Sequence, residues 1–173
     1  DLAQLMKSDN MIFAGKRYLE LMESRNVELL DTEMVLGDPE LGYVGQPDKV
    51  WLTMNKSGDE FGLLITDWKT NKKKNFQETS YTDRMYEPFE KYPNTALGHY
   101  YLQLPLYGKL LLKMLEGTKY ENIKLYGCII SHLQEDTFFE EYRVPKEVID
   151  IVLEIDVKKY LKKWPPKGGY FFD

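Results

Sequence analysis

Apolar residues change their spacing several times along this chain, and each change marks a predicted element. From Met11 to Ser24, Ile12, Tyr18, Leu19 and Met22 recur near the spacing of an amphipathic helix. Val27 to Leu36 then reads as a strand, closed by the turn signal Gly37-Asp38-Pro39. Leu41 to Met54 reads as a second strand, interrupted at Gly45 and Pro47. A proline cannot donate to a strand ladder, so Pro47 predicts an edge, a bend or a bulge. Asn55-Lys56-Ser57-Gly58-Asp59 has hairpin composition, and Phe61 to Thr70 is the best-defined strand. Three strands joined by short turns predict an antiparallel meander.

Asn71 to Thr95 follows no period and holds Pro88 and Pro93. Stretches beyond about 12–15 residues without regular structure are uncommon in compact domains and often functional. Ala96 to Glu116 predicts a long helix with Gly117 as its stop. Ile123 to Ser131 is a continuous apolar strand, as expected where both faces are covered. Phe138 to Val144 predicts a further strand. Pro145 opens a last helix at a first-turn position, running to about Lys163. The order helix, three strands, helix, strand, strand, helix predicts an α/β protein with one central sheet. The 173 residues make one domain.

Composition narrows the chemistry. Hydrophobic residues at 43% and charged residues at 29% are ordinary globular values. The single cysteine, Cys128, lies in the apolar run Leu125–Ile130, where core filling is its expected role. One cysteine excludes an intrachain disulfide framework and a four-cysteine iron–sulfur cluster or zinc site. No apolar stretch approaches the roughly 20 residues that span a bilayer, and the start does not read as a signal peptide. The expected partners therefore include no membrane, and the expected location is intracellular, cytoplasmic or inside a phage-infected host. The opening at Asp1, without methionine, reads as a fragment or a domain cut from a longer chain. A net charge of −5 counts against a nucleic-acid partner when taken alone. Binding needs only a local positive lining, however, and Lys69, Lys72, Lys73 and Lys74 supply one directly after the third strand.

That strand also carries the candidate chemistry. Alternate strand residues share a face, so Asp67 and Lys69 point one way and Trp68 the other. An isolated Asp-x-Lys describes a strand end with a solvated ion pair. Here Gly45-Gln46-Pro47-Asp48 precedes it across a short hairpin. Facing residues of an antiparallel pair come within about 5 Å, so Asp48 and Asp67 can converge on one cation. Two carboxylates with few histidines suit Mg²⁺ or Mn²⁺ better than zinc. A lysine two residues after one ligand can stabilise transition-state charge or help orient a hydroxide. Glu33 is either a third carboxylate or an exposed strand residue. Gln103 and Tyr107 share one face of the long helix, with His99 a step back along it; alone, they describe a half-buried amphipathic stripe. Pro105 inside that helix is costly unless it marks a kink.

Gly45-Gln46-Pro47-Asp48, then Ile65-Thr66-Asp67-Trp68-Lys69-Thr70, then Gln103-xxx-Tyr107 resembles the RecB-like branch of the PD-(D/E)xK nucleases, which includes phage and mitochondrial exonucleases. The resemblance covers roughly residues 28–131. It implies a restriction-endonuclease-like core, a central mixed sheet of about five strands flanked by helices, over residues 1–173. It also implies metal-dependent hydrolysis of DNA, with an exonuclease acting on ends or single strands in recombination, repair or phage replication. Asp48, Asp67 and the backbone carbonyl of Trp68 would bind metal. Lys69 would assist attack by water, and Gln103 and Tyr107 would position the site or the DNA. The histidine that family members often carry on a helix before the first strand has no counterpart, since His99 and His132 both come later. Either the helix that would hold it is missing from this piece of chain, or the histidine is truly absent and the activity or metal stoichiometry differs from the family's. Two other classes stand beside the nuclease: a nuclease-like module that grips DNA or a partner without cutting, and an RNA endonuclease with the same core. In the long loop, Lys72, Lys73 and Lys74 precede Phe76, Tyr81, Tyr86, Phe89 and Tyr92. This order fits a single-strand channel in which the three lysines with Tyr81 and Tyr86 contact DNA, or a small satellite core beneath the loop.

Overall fold

The computed structural model of the chain describes residues 2–77 and 83–161. Helix α1 (Leu2–Ser24) leads into strand β1 (Glu28–Thr32), a small hairpin of β2 (Leu36–Asp38) and β3 (Tyr43–Gly45), and then β4 (Lys49–Met54) and β5 (Phe61–Lys69). Helices α2 (Lys73–Gln77) and α3 (Ala96–Leu115) follow, then β6 (Lys124–Leu133), β7 (Phe139–Arg143), α4 (Lys146–Glu154) and α5 (Val157–Leu161). The central sheet has five strands in the order β1-β4-β5-β6-β7 and is mixed: β5 and β6 are parallel, the other pairs antiparallel. Helices cover both faces, so the fold is the expected α/β arrangement.

Local chemistry explains where the strands differ from the predicted ones. The expected strand at 27–36 divides after Thr32, because Glu33 takes a positive φ of 53° and turns the chain out of the sheet. The expected strand at 41–54 divides at Gln46-Pro47. Its first part pairs with β2, and β4 starts afresh at Lys49. The tight turn falls at 39–42, with Gly42 at φ 79°, while Gly37 belongs to β2. The meander therefore holds, with a two-stranded hairpin inserted in it. The Asn55–Asp59 hairpin forms as expected: Asn55 Oδ1 accepts the Asp59 and Glu60 N–H groups, and Gly58 has φ 75°.

The helices also differ at their ends. Helix α1 begins well before Met11, held near its start by a Lys7–Glu135 ion pair and by Asn10 Nδ2 donating to the Glu135 carbonyl. Pro145 is the N-cap of α4 rather than a first-turn residue, and α4 ends at Glu154 instead of running to Lys163. Asp156 Oδ1 accepts the Lys158 N–H and starts α5, and residues 162 and 163 lie outside the described residues. The 71–95 segment is not structureless, since it contains α2. Helix α3 runs through Pro105 without interruption.

Two apolar layers fix the sheet between the helices. On one face, Tyr18 and Met22 of α1 pack on Trp51, Leu64 and Trp68. On the other, Leu104, Leu110 and Leu111 of α3 and Val148 and Val152 of α4 pack on Val50, Leu63, Ile65, Cys128 and Ile130. Cys128 is the core filler expected of it, and burial pushes its thiol up. Thr95 caps α3 by accepting the Gly98 N–H on its hydroxyl, and Gly117 at φ 71° ends the chain's helical path.

Gly98 sits where the loop folds back on α3. A Cβ there would stand 2.5 Å from the Pro93 carbonyl oxygen and 2.7 Å from Met85 Cε. Alanine is better than glycine in a helix by about 1 kcal/mol, but a backbone carbonyl cannot swing aside, and overpacking typically costs about 1–3 kcal/mol. Gly98→Ala is expected to lower the urea midpoint without changing the slope of the transition. A raised midpoint would show that the loop yields freely.

Candidate active site

Asp48 and Asp67 face each other across β4 and β5. Lys49 pairs with Thr66, so the residue before one lies beside the residue after the other. The two are cross-tied: the Asp48 N–H donates to Asp67 Oδ1 at 3.4 Å, and the Trp68 N–H donates to Asp48 Oδ2 at 2.6 Å. Lys69 Nζ forms an ion pair with Asp67 Oδ2. That oxygen is buried and has no hydrogen bond of good geometry, so the ion pair is its one polar contact.

Asp67 is only 3% exposed, which rules out the solvated strand end that an isolated Asp-x-Lys describes. The strand ends beneath α3, not at the surface. Burial pushes the Asp67 carboxyl above its ordinary range; Lys69 opposes that shift and the neighbouring Asp48 adds to it. Trp68 turns to the α1 face as expected. Its ring meets Tyr18 edge-on and lies beneath Lys49 Nζ, 3.7 Å from the ring centroid. Burial lowers the Lys49 ammonium, against the pull of Asp48, Glu33 and Asp67.

Helix α3 brings Gln103 and Tyr107 to the Asp67 side. Gln103 Nε2 donates to the Tyr107 hydroxyl at 2.5 Å, and Gln103 Oε1 is buried without a partner. The Tyr107 hydroxyl is pushed up to about 12, chiefly by burial and then by the charge of Asp67. The edge of its ring lies against Gly45, where a Cβ would stand 2.3 Å from both Cδ1 and Cε1. Gly45 has no positive φ, so the glycine of Gly45-Gln46-Pro47-Asp48 supplies space rather than conformational freedom. His99, further back on α3, is exposed, and its Nε2 meets Asn94 Oδ1 at 2.6 Å.

Other expected residues lie apart from this cluster. Glu33 is exposed one residue beyond β1; its N–H donates to the Asp48 carbonyl, and its own carbonyl accepts from Gln46 Nε2. Its carboxylate does not complete a triad: among the described residues no three His, Cys, Asp or Glu side chains converge as a metal site. Lys72, Lys73 and Lys74 are exposed, but Lys73 Nζ is bound to Glu140 at 2.6 Å. The loop aromatics divide. Phe76 and Phe89 belong to the core, and the Tyr92 hydroxyl donates to Glu147. Tyr86 is 89% exposed, and Tyr81 lies outside the described residues.

The cluster includes residues that the sequence reading did not select. Tyr100 presents its ring to Lys69, 4.5 Å from Nζ, and its hydroxyl donates to Asn71 Oδ1 at 3.0 Å. Two simple signals point to them: Asn71 continues the Asp67, Lys69 alternation, and Tyr100 is three residues before Gln103 on a helix. Lys49 and His132 carry no such signal, because their places depend on strand register.

The oxygens of Asp48 and Asp67 are hard donors, and the buried Asp67 Oδ2 is met by Lys69 Nζ alone. This donor set fits a divalent cation such as Mg²⁺ or Mn²⁺. No protein family and no curated protein matches the chain.

Two expectations follow from this geometry. Gly45→Ala should push the Tyr107 ring off β3 and break its bond with Gln103, at a cost of about 1–3 kcal/mol for the newly unpaired buried groups. Urea denaturation of Gly45→Ala in the wild type and in a Tyr107→Ala background checks this, because the cost of the added methyl should largely vanish once the ring is gone. The second expectation concerns Glu140, whose carboxyl is held down to about 2 by Lys73 and then Tyr142. A carboxylate depressed in the folded state stabilises above its ordinary value of 4.5 and loses that contribution as pH falls towards 2. The wild type should therefore lose melting temperature more steeply than Glu140→Gln across that window. Parallel curves would show that Lys73 is free.

Proposed function

We propose that this chain is a divalent-metal-dependent nuclease that hydrolyses phosphodiester bonds in DNA, acting as an intracellular exonuclease on ends or single strands. The observation that carries this reading is the cross-tied Asp48–Asp67 pair with Lys69 reaching the same carboxylate. Gln103 and Tyr107 stand against it from α3. A structural ion pair needs one acid and one base. A second carboxylate pressed against a buried first one raises the cost of both, an arrangement characteristic of functional sites.

Asp48 and Asp67 would hold the cation, with the backbone carbonyl of Trp68, the residue after Asp67, as a further ligand. A cation there supplies Lewis-acid polarisation of the scissile phosphate. Lys69 stabilises the negative charge that builds on the phosphoryl oxygens, and burial strengthens that interaction over its value in water. Tyr107 stays protonated at neutral pH and offers a fixed hydroxyl near Asp67. Lys72, Lys74 and Tyr86 provide exposed charge and an exposed ring for a single strand beyond the site. Among the described residues no helix is long and apolar enough to cross a membrane.

A panel of single-stranded DNA, blunt and tailed duplex DNA, and RNA, each with Mg²⁺, Mn²⁺ or EDTA, tests the proposal. Cleavage of DNA that requires a cation supports it. Cation-independent binding without cleavage of any substrate removes it. Asp67→Asn is expected to abolish both cleavage and the rise in melting temperature on adding Mn²⁺. Lys69→Ala should cut at least about 100-fold more slowly. It should also melt lower in EDTA, since a buried carboxylate stripped of its partner typically costs about 3–5 kcal/mol. Mn²⁺ should restore more melting temperature to Lys69→Ala than to the wild type, because the cation replaces the missing charge. Loss of Mn²⁺ binding in Lys69→Ala would make the lysine a structural partner of the carboxylates instead.

A further inference from the structure

We infer that Tyr100 is a positioning residue for Lys69, resting on the nuclease reading above: its ring keeps the ammonium in place when Asp67 is taken up by a cation. Lys69 Nζ has two neighbours of different kinds, Asp67 Oδ2 and the face of Tyr100. The first cannot anchor the lysine throughout a reaction. Asp67 Oδ1 takes the Asp48 N–H and Oδ2 takes the lysine, so a cation at Asp67 competes with Lys69 for Oδ2. Once that oxygen is engaged, the ion pair weakens, and a four-carbon stem would otherwise free its ammonium to wander. An aromatic face attracts a cation without accepting its proton or neutralising its charge. Lys69 thus stays in place without an anionic partner.

The ring is held from several sides. The Tyr100 hydroxyl donates to Asn71 Oδ1 at 3.0 Å. The Asn71 carbonyl accepts from His132 Nε2 at 2.6 Å. A carbonyl only accepts, so Nε2 carries the proton, and Nδ1 is left buried without a partner. His132 is 1% exposed and is the register partner of Lys69 across the parallel β5–β6 pair. Phe76 closes the arrangement, stacked on His132 at 4.1 Å and 9° and packed against Tyr100 at 5.8 Å. The contacts run from the Lys69 ammonium through Tyr100, Asn71 and His132 back to the main chain of Lys69. A circuit that begins and ends on one residue fixes the ring relative to that residue. Helix packing alone would require none of these hydrogen bonds.

The test has one arm that needs no cleavage. In the chain labelled with ¹³C-lysine, the Tyr100 ring current shifts the Lys69 ε-methylene signal upfield, with Lys69→Arg assigning it. Tyr100→Leu should return that signal to the range of the exposed lysines, and Tyr100→Phe should leave it shifted. In cleavage of DNA with Mn²⁺, Tyr100→Leu should lower kcat about tenfold at near-constant KM, the rate equivalent of a partly desolvated cation–π contact. Tyr100→Phe, which keeps the ring and its packing on Phe76, should recover most of that loss. An unmoved Lys69 signal in Tyr100→Leu overturns the inference. So does an equal fall in kcat for both variants, or an effect confined to KM. If the wild type cuts no nucleic acid under any condition, the nuclease reading fails separately; the Tyr100→Leu spectrum still decides whether the ring rests on Lys69, and the wild-type Lys69 signal in saturating Mg²⁺ decides whether the ring keeps it there: a signal that stays shifted supports the inference and one that moves to the exposed-lysine range overturns it.

Discussion

Everything at the site depends on the parallel pairing of β5 with β6, which runs from Gly62–Lys124 to Lys69–His132 with one register shift between Leu63 and Leu64. Parallel neighbours cannot be joined by a tight turn, so the chain must cross over the sheet between them. That crossover is the whole segment holding α2, the long loop and α3. It lays α3 across the face that carries Asp67 and Lys69, and it brings the ends of β5 and β6 to the same edge. In open α/β sheets, the crevice outside the carboxyl ends of the strands is where ligands bind. Tyr107, Gln103 and Tyr100 meet the acids because one backbone constraint fixes where the helix lies.

The electrostatics of the site are local and run against the chain as a whole. A net charge of −5 describes the exterior. At the sheet, Asp48 and Asp67 are flanked by Lys69 on one face and Lys49 on the other, each ammonium resting on an aromatic ring. The rings lower the cost of keeping two ammonium groups out of bulk water while leaving their charge unspent. The same burial that raises the Asp67 carboxyl makes its ionised form depend on nearby positive charge. A group so placed responds strongly to any cation that arrives.

Much of this was legible in the amino-acid order. The alternation through Leu63–Lys69 and the apolar run before His132 gave two central strands, and period and stop signals gave α3 to within a residue or two of its ends. Asp48 beside Asp67 followed from a hairpin and a period of two. What escaped depended on contacts between distant segments. Glu33 left the sheet because one residue took a positive φ, which no pattern announces. The burial of Asp67 comes from α3 lying over it, and an Asp-x-Lys at a strand end looks the same whether or not a helix covers it. Lys73 reads as free charge until β7 brings Glu140 to it. The loop aromatics divided by three-dimensional neighbours: Phe76 found His132 and Tyr142, while Tyr86 found none of the core.

The contact between Gly45 and the Tyr107 ring also limits how this chain could have changed over generations. The two positions share one volume, so they behave as a single variable spread over two codons. A larger residue at 45 is tolerable only after the ring at 107 has shrunk, and restoring the ring requires position 45 to return to glycine first. The order of events matters, because one route passes through a folded intermediate and the other through a clash. A descendant lacking both groups would retain the sheet and both carboxylates yet have lost its hydroxyl beside Asp67, and no single substitution would carry it back.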